Sequence, residues 1–197
     1  MITIPPIFKR QFLIFIHSCR LIFKLIIVDQ LSKWWFISSL PSKLDHTIEV
    51  TSFFDFAYSW NHGISFGLFG SYAQYSNILF IVLNIMITAY LWYQLFKYES
   101  PASFAGYSLI IGGAIGNIID RVLRGAVFDF LHFHYGDYSF PVFNVADAFI
   151  SLGAAILIYD YYKSKKSIEQ SDQTNYDALQ KEADEIRKNN NEDFERE

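Results

Sequence analysis

Residues 77 to 96 read "NILFIVLNIMITAYLWYQLF", twenty residues without a single charge. A bilayer core of about 30 Å is crossed by about 20 predominantly apolar helical residues, so this stretch sets the class of the chain as a membrane protein. Working outward, three more stretches fit the same template. Residues 104–119, "FAGYSLIIGGAIGNII", are shorter but glycine-rich, which suits close helix packing in lipid. Residues 143–162, "FNVADAFISLGAAILIYDYY", keep their polar groups near the two ends. The least clean span is the first, about 18–37, "SCRLIFKLIIVDQLSKWWFI". Arg20 and Lys24 can snorkel to the near face, and Trp34 and Trp35 suit the far interface. Asp29 and Lys33 stay inside it and need an explanation.

Composition agrees once the chain is divided. The 197 residues are 52% hydrophobic and 19% aromatic, with a mean hydropathy of only +0.17. Ten of the 20 acidic residues follow Lys163, and removing that tail leaves a profile of long uncharged runs typical of a polytopic membrane protein. The net charge of −4 therefore comes from the tail. No basic face with interleaved aromatics is present, so a nucleic-acid partner is not expected. The single cysteine, Cys19, excludes an intramolecular disulfide and a cysteine-rich metal site.

Four spans put both termini on one side, and the positive-inside rule says which. Lys9, Arg10, Arg20, Lys24, Lys97, Lys163, Lys165 and Lys166 stand on one side, against Lys43, Arg121 and Arg124 on the other. Eight against three predicts cytoplasmic termini. Asp120, Asp129, Asn144 and Asp147 then gather at the outer face. Between the first two spans, Ile48, Val50, Phe54, Phe56, Tyr58 and Trp60 fall on even positions, the alternation of a half-buried strand. The expected fold is all-α, with four transmembrane helices and a small β subdomain (about 45–70) on the outer membrane surface. Residues 1–162 form the membrane domain, and 163–197 a solvated tail, a frayed helix or disordered.

The polar residues at the span ends carry the chemistry, although each cluster has a bland reading. Asp29 and Lys33 share a helix face one turn apart, as a structural ion pair would, or as the wall of a polar site. Arg121, close behind Asn117 and Asp120, could simply cap helix carbonyls. Asn144 and Asp147 fit the N-cap and N3 positions of the last span. Asn61 and Gly63 look like a turn. Their conjunction says more. Asp129 and Asp147 are eighteen residues apart, about 27 Å on one helix, and can meet only if the chain reverses between them. "HFHYGDYSFP" (132–141) supplies Gly136, Asp137 and Pro141 for that reversal. Two carboxylates brought together at a low-dielectric surface hold one proton between them. Such a pair activates water for amide hydrolysis without metal or covalent nucleophile, and its two roles stay unassigned because it titrates as a unit.

Rival schemes lack their residues. "HFH" (132–134) has no HExxH helix or cysteine partners. His46 and His62, also expected outside, belong to no such motif, so neither a metal nor a cofactor is expected. No GxSxG elbow occurs. A presenilin-type protease would use "YD" at 159–160, but its GxGD partner is missing. A transporter or scaffold would use Asp29, Lys33 and Asp120 as a polar pathway.

Five blocks resemble a known family. "DQLSK" (29–33), "NHGISFG" (61–67), "GGAIGNIIDR" (112–121), "GAVFDF" (125–130) and "FNVAD" (143–147) resemble lipoprotein signal peptidase (signal peptidase II), in its order and spacing over about residues 20–162. The resemblance implies a four-helix aspartic endopeptidase of the bacterial inner membrane. Such enzymes remove the signal peptides of prolipoproteins, cutting just before a diacylglyceryl-modified cysteine. It implies Asp129 and Asp147 as the catalytic pair. Asn61, Gly63, Asn117, Arg121 and Asn144 would bind substrate or order the site, supported by Asp29, Lys33 and Asp120. A monomer among membrane phospholipids is expected. The departures are Ile64 and Ser65, where the family has two small residues, Leu131 in place of the commoner isoleucine, and a longer tail.

Overall fold

The structure is a computed structural model that describes residues 6–39, 47–63, 73–97 and 100–194. Lys43, His46, Ile64, Ser65 and the outer ends of the 45–70 segment lie outside the described residues. Eight elements follow one another: α1 (Pro6–Ser39), β1 (Ile48–Thr51), β2 (Phe54–Asn61), α2 (Ala73–Leu95), α3 (Pro101–Arg124), β3 (Val127–Tyr135), β4 (Tyr138–Ser139) and α4 (Val145–Phe194).

Among the described residues, three helices contain segments long and apolar enough to cross a membrane: Ser76–Leu95 in α2, Pro101–Arg124 (all of α3) and Val145–Lys181 in α4. Their outward faces agree. Ile78, Leu79, Val82, Ile85 and Met86 of α2 are exposed, an apolar surface far too continuous for a water-facing helix. In α1, Arg20, Lys24, Asp29 and Lys33 break the apolar run, although Phe23, Leu31, Trp34 and Trp35 are likewise exposed.

Local chemistry sets the helix ends. Ser100 caps α3, its side chain accepting from Ala102 N (3.1 Å) and Ser103 N (3.2 Å), with Pro101 in the first turn. Gly125, in the left-handed region (φ 80°), ends α3 by donating its N–H to Arg121 O at 3.2 Å. α1, α2 and α3 meet around Ile22, Leu95, Tyr107 and Ile111. α3 and α4 approach closely: a Cβ at Gly113 would collide with Ala146 O, so the glycine-rich run of α3 serves packing as expected.

The sheet is larger than the alternation at 48–60 predicts. That run folds as two strands about a turn at Ser52–Phe53, and Ile48 and Val50 are exposed rather than half-buried. β3 and β4 complete an antiparallel sheet ordered β1-β2-β3-β4. Phe36 of α1 packs on Phe128 and Phe130 of β3, with Phe56, Tyr58 and Trp60 of β2 around them. The chain does reverse after β3, through Gly136 (φ 56°) and Asp137, with Tyr135 paired to Tyr138. Phe143 then returns to bridge Leu131, each N–H donating to the other's carbonyl at 2.8 and 3.0 Å.

The chain forms two compact units, residues 1–157 and 158–197. In the second, the side chains from Tyr161 to Lys181 are exposed along a helix, where Lys165 pairs with Glu169 at 3.9 Å. The described part of the tail, as far as Phe194, is helical.

Candidate active site

Asp129 sits on β3 opposite Ser59, not at a helix mouth, and is 2% exposed. Asn144, the residue after the Phe143–Leu131 bridge, donates from Nδ2 to Asp129 Oδ1 at 2.6 Å. From the other side, Asn61 Nδ2 donates to Asp129 Oδ2 at 3.0 Å. Asn61 closes β2, and its Oδ1 accepts from Gly63 N at 2.8 Å. Gly63 has φ +98°, and a Cβ there would run into the Phe80 ring, so the turn requires glycine. The turn fixes which end of the Asn61 amide faces the carboxylate. Turn and site residue are one device.

Asp147 stands at N3 of α4. Asn144 Oδ1 accepts from Asp147 N (3.1 Å), and Asp147 Oδ2 accepts from Asn144 N (3.1 Å). This is the reciprocal arrangement of a capping box. Asp147 has a second oxygen to spare, and Oδ1 accepts from Asn117 Nδ2 at 2.8 Å. Asn144 Nδ2 also reaches Asn117 Oδ1 at 3.3 Å. Two carboxamides thus join the two carboxylates, Asp129 to Asn144 to Asn117 to Asp147. The cap explains the local structure and the amide chain uses the same atoms.

Beneath lies a buried ionic cluster. Lys33 Nζ has three neighbours for its three hydrogens: Asp29 Oδ2 (2.9 Å), Asp120 Oδ2 (2.9 Å) and Asn117 Oδ1 (3.0 Å). All three ionic side chains are 0% exposed. Asp29 Oδ1 accepts from Ala146 N at 3.0 Å, tying α1 to the start of α4. Asp120 also accepts from Arg124 and from Phe128 N (3.3 Å). Gln30 Nε2 donates to Asp29 Oδ2 (3.0 Å) and Gly116 O (3.1 Å). Such complete pairing accounts for charges within α1, and it leaves this cluster without the wet face a transport pathway needs. Gln30 and the role of Arg124 went unread in the sequence.

Burial, followed by the negative charge of Asp147, pushes the Asp129 carboxyl up to about 6, against the opposing pull of Asn144, Asn61 and Lys33. That is a proton affinity suited to acid–base work near neutrality. Arg121 completes the surroundings. It is 8% exposed, and its guanidinium interacts electrostatically with Asp129 and Asp147. All ten residues singled out in the sequence thus fall in one contiguous neighbourhood.

Comparison with known proteins decides the family. Residues 21–163 match the family model described as Signal peptidase (SPase) II. The chain belongs to the signal peptidase II family. This peptidase is 56% identical over 176 residues to the lipoprotein signal peptidase of Rickettsia bellii (strain OSU 85-389), covering 89% of this chain and 90% of that one. It is 55% identical over 178 residues to that of Rickettsia africae (strain ESF-5), covering 90% and 89%. Two solved structures described as a bacterial membrane enzyme, obtained by the in meso method, superpose with TM-scores of 0.64 at 28% identity. They cover 76% and 74% of the peptidase and 89% and 92% of their own chains. The peptidase's reaction is accordingly that of its family, removal of signal peptides from prolipoproteins.

Proposed function

We propose that the peptidase works by aspartic catalysis, with Asp129 and Asp147 as the pair that hydrolyses the bond before a diacylglyceryl-modified cysteine. One observation carries this reading: a buried strand carboxylate and a helix N-terminal carboxylate are linked through Asn144 and Asn117. The surroundings of the pair differ. Asp147 accepts from Asn144 N and Asn117 Nδ2 at the start of α4, whereas burial and the charge of Asp147 favour a proton on Asp129. Asp147 then takes a proton from water as the oxygen attacks the scissile carbonyl, and Asp129 gives its proton to the carbonyl oxygen. Collapse of the tetrahedral diol returns the first proton to the leaving nitrogen and the second to Asp129, restoring both carboxyl groups.

Within this reading α1 is a fourth transmembrane helix, its buried charges neutralised by the Asp29–Lys33–Asp120 cluster. The excess of basic residues at one side supports cytoplasmic termini in the inner membrane, with the pair and sheet at the outer face. The domain of residues 1–162 carries the site, and the 163–197 tail lies in the cytoplasm. The lipid chains of the substrate stay among the phospholipids while the signal helix lies against the spans. Arg121, Asn61 and Asn117 bind or order the substrate main chain, and the enzyme acts as a monomer.

The test is cleavage of a diacylglyceryl-modified precursor, with the unlipidated form as control. Asp129→Asn and Asp147→Asn, purified as folded membrane proteins, are expected to cut neither. Normal processing by either variant would refute the assignment.

A further inference from the structure

Arg121 is held in an uncommon way for a cation beside two carboxylates. Its guanidinium carbon lies 5.3 Å from the centroid of the Phe80 ring. Among the described residues it has no carboxylate within 4.0 Å and its side chain donates no hydrogen bond; Nε is buried without a partner. The contact therefore holds the cation over the ring without using a hydrogen-bond donor, and the donors along the guanidinium edge stay uncommitted to any described residue. A carboxylate partner would have taken that edge. The main chain of the same residue is held by the same helix: Asn77 Nδ2, one turn before Phe80 on α2, donates to Arg121 O at 3.1 Å. Phe80 also packs on Gly63, where a Cβ would enter its ring, and so backs the turn that aims Asn61 at Asp129.

We propose that Phe80 is a positioning residue of the peptidase: its ring face holds the Arg121 guanidinium edge-free beside the catalytic pair, so that the edge donates to a substrate carbonyl. This rests on Arg121 as a substrate-binding residue. Neutral aromatic support suits that task, because it localises the cation without consuming its donors or adding a third anion to the site.

The test replaces Phe80 with ring-fluorinated phenylalanines in the full-length enzyme. Fluorination drains the ring face of negative potential while nearly preserving shape. The expected result is a stepwise fall in kcat/KM, reaching about tenfold for the most fluorinated ring, carried by KM rather than kcat. Phe80→Trp keeps activity and Phe80→Leu loses it. In an Arg121→Gln background the dependence on fluorine number vanishes. Equal activity across the fluorinated series, with Phe80→Leu impaired, would make the ring mere packing and overturn the proposal. A KM unchanged by Arg121→Gln alone would instead sink the substrate-binding assignment on which it stands.

Discussion

Lys33 Nζ lies 3.0 Å from Asn117 Oδ1, and that contact decides which way the Asn117 amide faces. An ammonium only donates, so the atom beside it is the carbonyl oxygen, and the amide nitrogen is left to face Asp147 at 2.8 Å. The buried ion cluster thus reaches the Asp129–Asp147 pair through the orientation of one carboxamide.

Replacing Lys33 with methionine keeps much of the volume and removes the charge. Asp29 and Asp120, both wholly buried, then lose the ammonium they share, with Arg124 left on Asp120 alone, which costs about 3–5 kcal/mol. Thermal unfolding in detergent should register that loss. The double variant Asp120→Asn/Lys33→Met is expected to recover part of the stability without recovering cleavage, because Asn117 stays free to flip.

Gly116 leaves the space that Asp29 fills. A Cβ there would come within 2.5 Å of Asp29 Oδ2, an atom that also holds Lys33 and Gln30. Gly116→Ala is expected to destabilise the fold by about 1–3 kcal/mol and to lower kcat more than it raises KM. A variant of wild-type stability and turnover would mean that α1 shifts aside at no cost.

Much of this was legible in the sequence, and the reasons for the gaps are physical. Uncharged length marked α2, a glycine-rich apolar run marked α3, and an apolar run with its charges only near the ends marked α4, while the Asn144–Asp147 spacing marked a capping box that the structure contains. β3 was missed although "VFDFLHFHY" is rich in aromatic and branched residues between Gly125 and Gly136, a strand signal. Reading Asp129 as the mouth of a span concealed it. Arg121 offered a helix-cap reading that the structure does not bear out: its side chain donates to no described carbonyl, and Gly125 ends the helix by donating to Arg121 O. Its side-chain contact with Phe80 is long-range and leaves no local pattern. Asn61 was ambiguous because its amide does two things at once, accepting from Gly63 N in the turn and donating to Asp129.

The Asp129 carboxyl, held up at about 6, keeps its proton in the folded state where the unfolded chain has released it. Between pH 4 and 6 the native state therefore binds more protons, so stability falls as pH rises. The contribution is fully present below about 4 and lost above 6, about 3 kcal/mol in all. Asp129→Asn lacks this dependence. The stability of that variant relative to wild type should rise by about that amount from pH 4 to pH 7, read from unfolding midpoints in one detergent. A difference that stays flat across this range would remove the raised proton affinity from the mechanism.

Asn61→Asp tests the acid role directly. The new side chain keeps an oxygen for Gly63 N, so the turn survives, but it replaces the 3.0 Å amide donor on Asp129 Oδ2 with a second negative charge. Losing that donor and gaining a like charge both strengthen proton binding by Asp129. If Asp129 acts as the acid, kcat/KM of the wild type declines above about pH 6, and the decline moves to higher pH in Asn61→Asp, by about one unit. A limb that moves the other way, or an ascending limb that moves instead, would reassign the proton to Asp147 and make Asp129 the base.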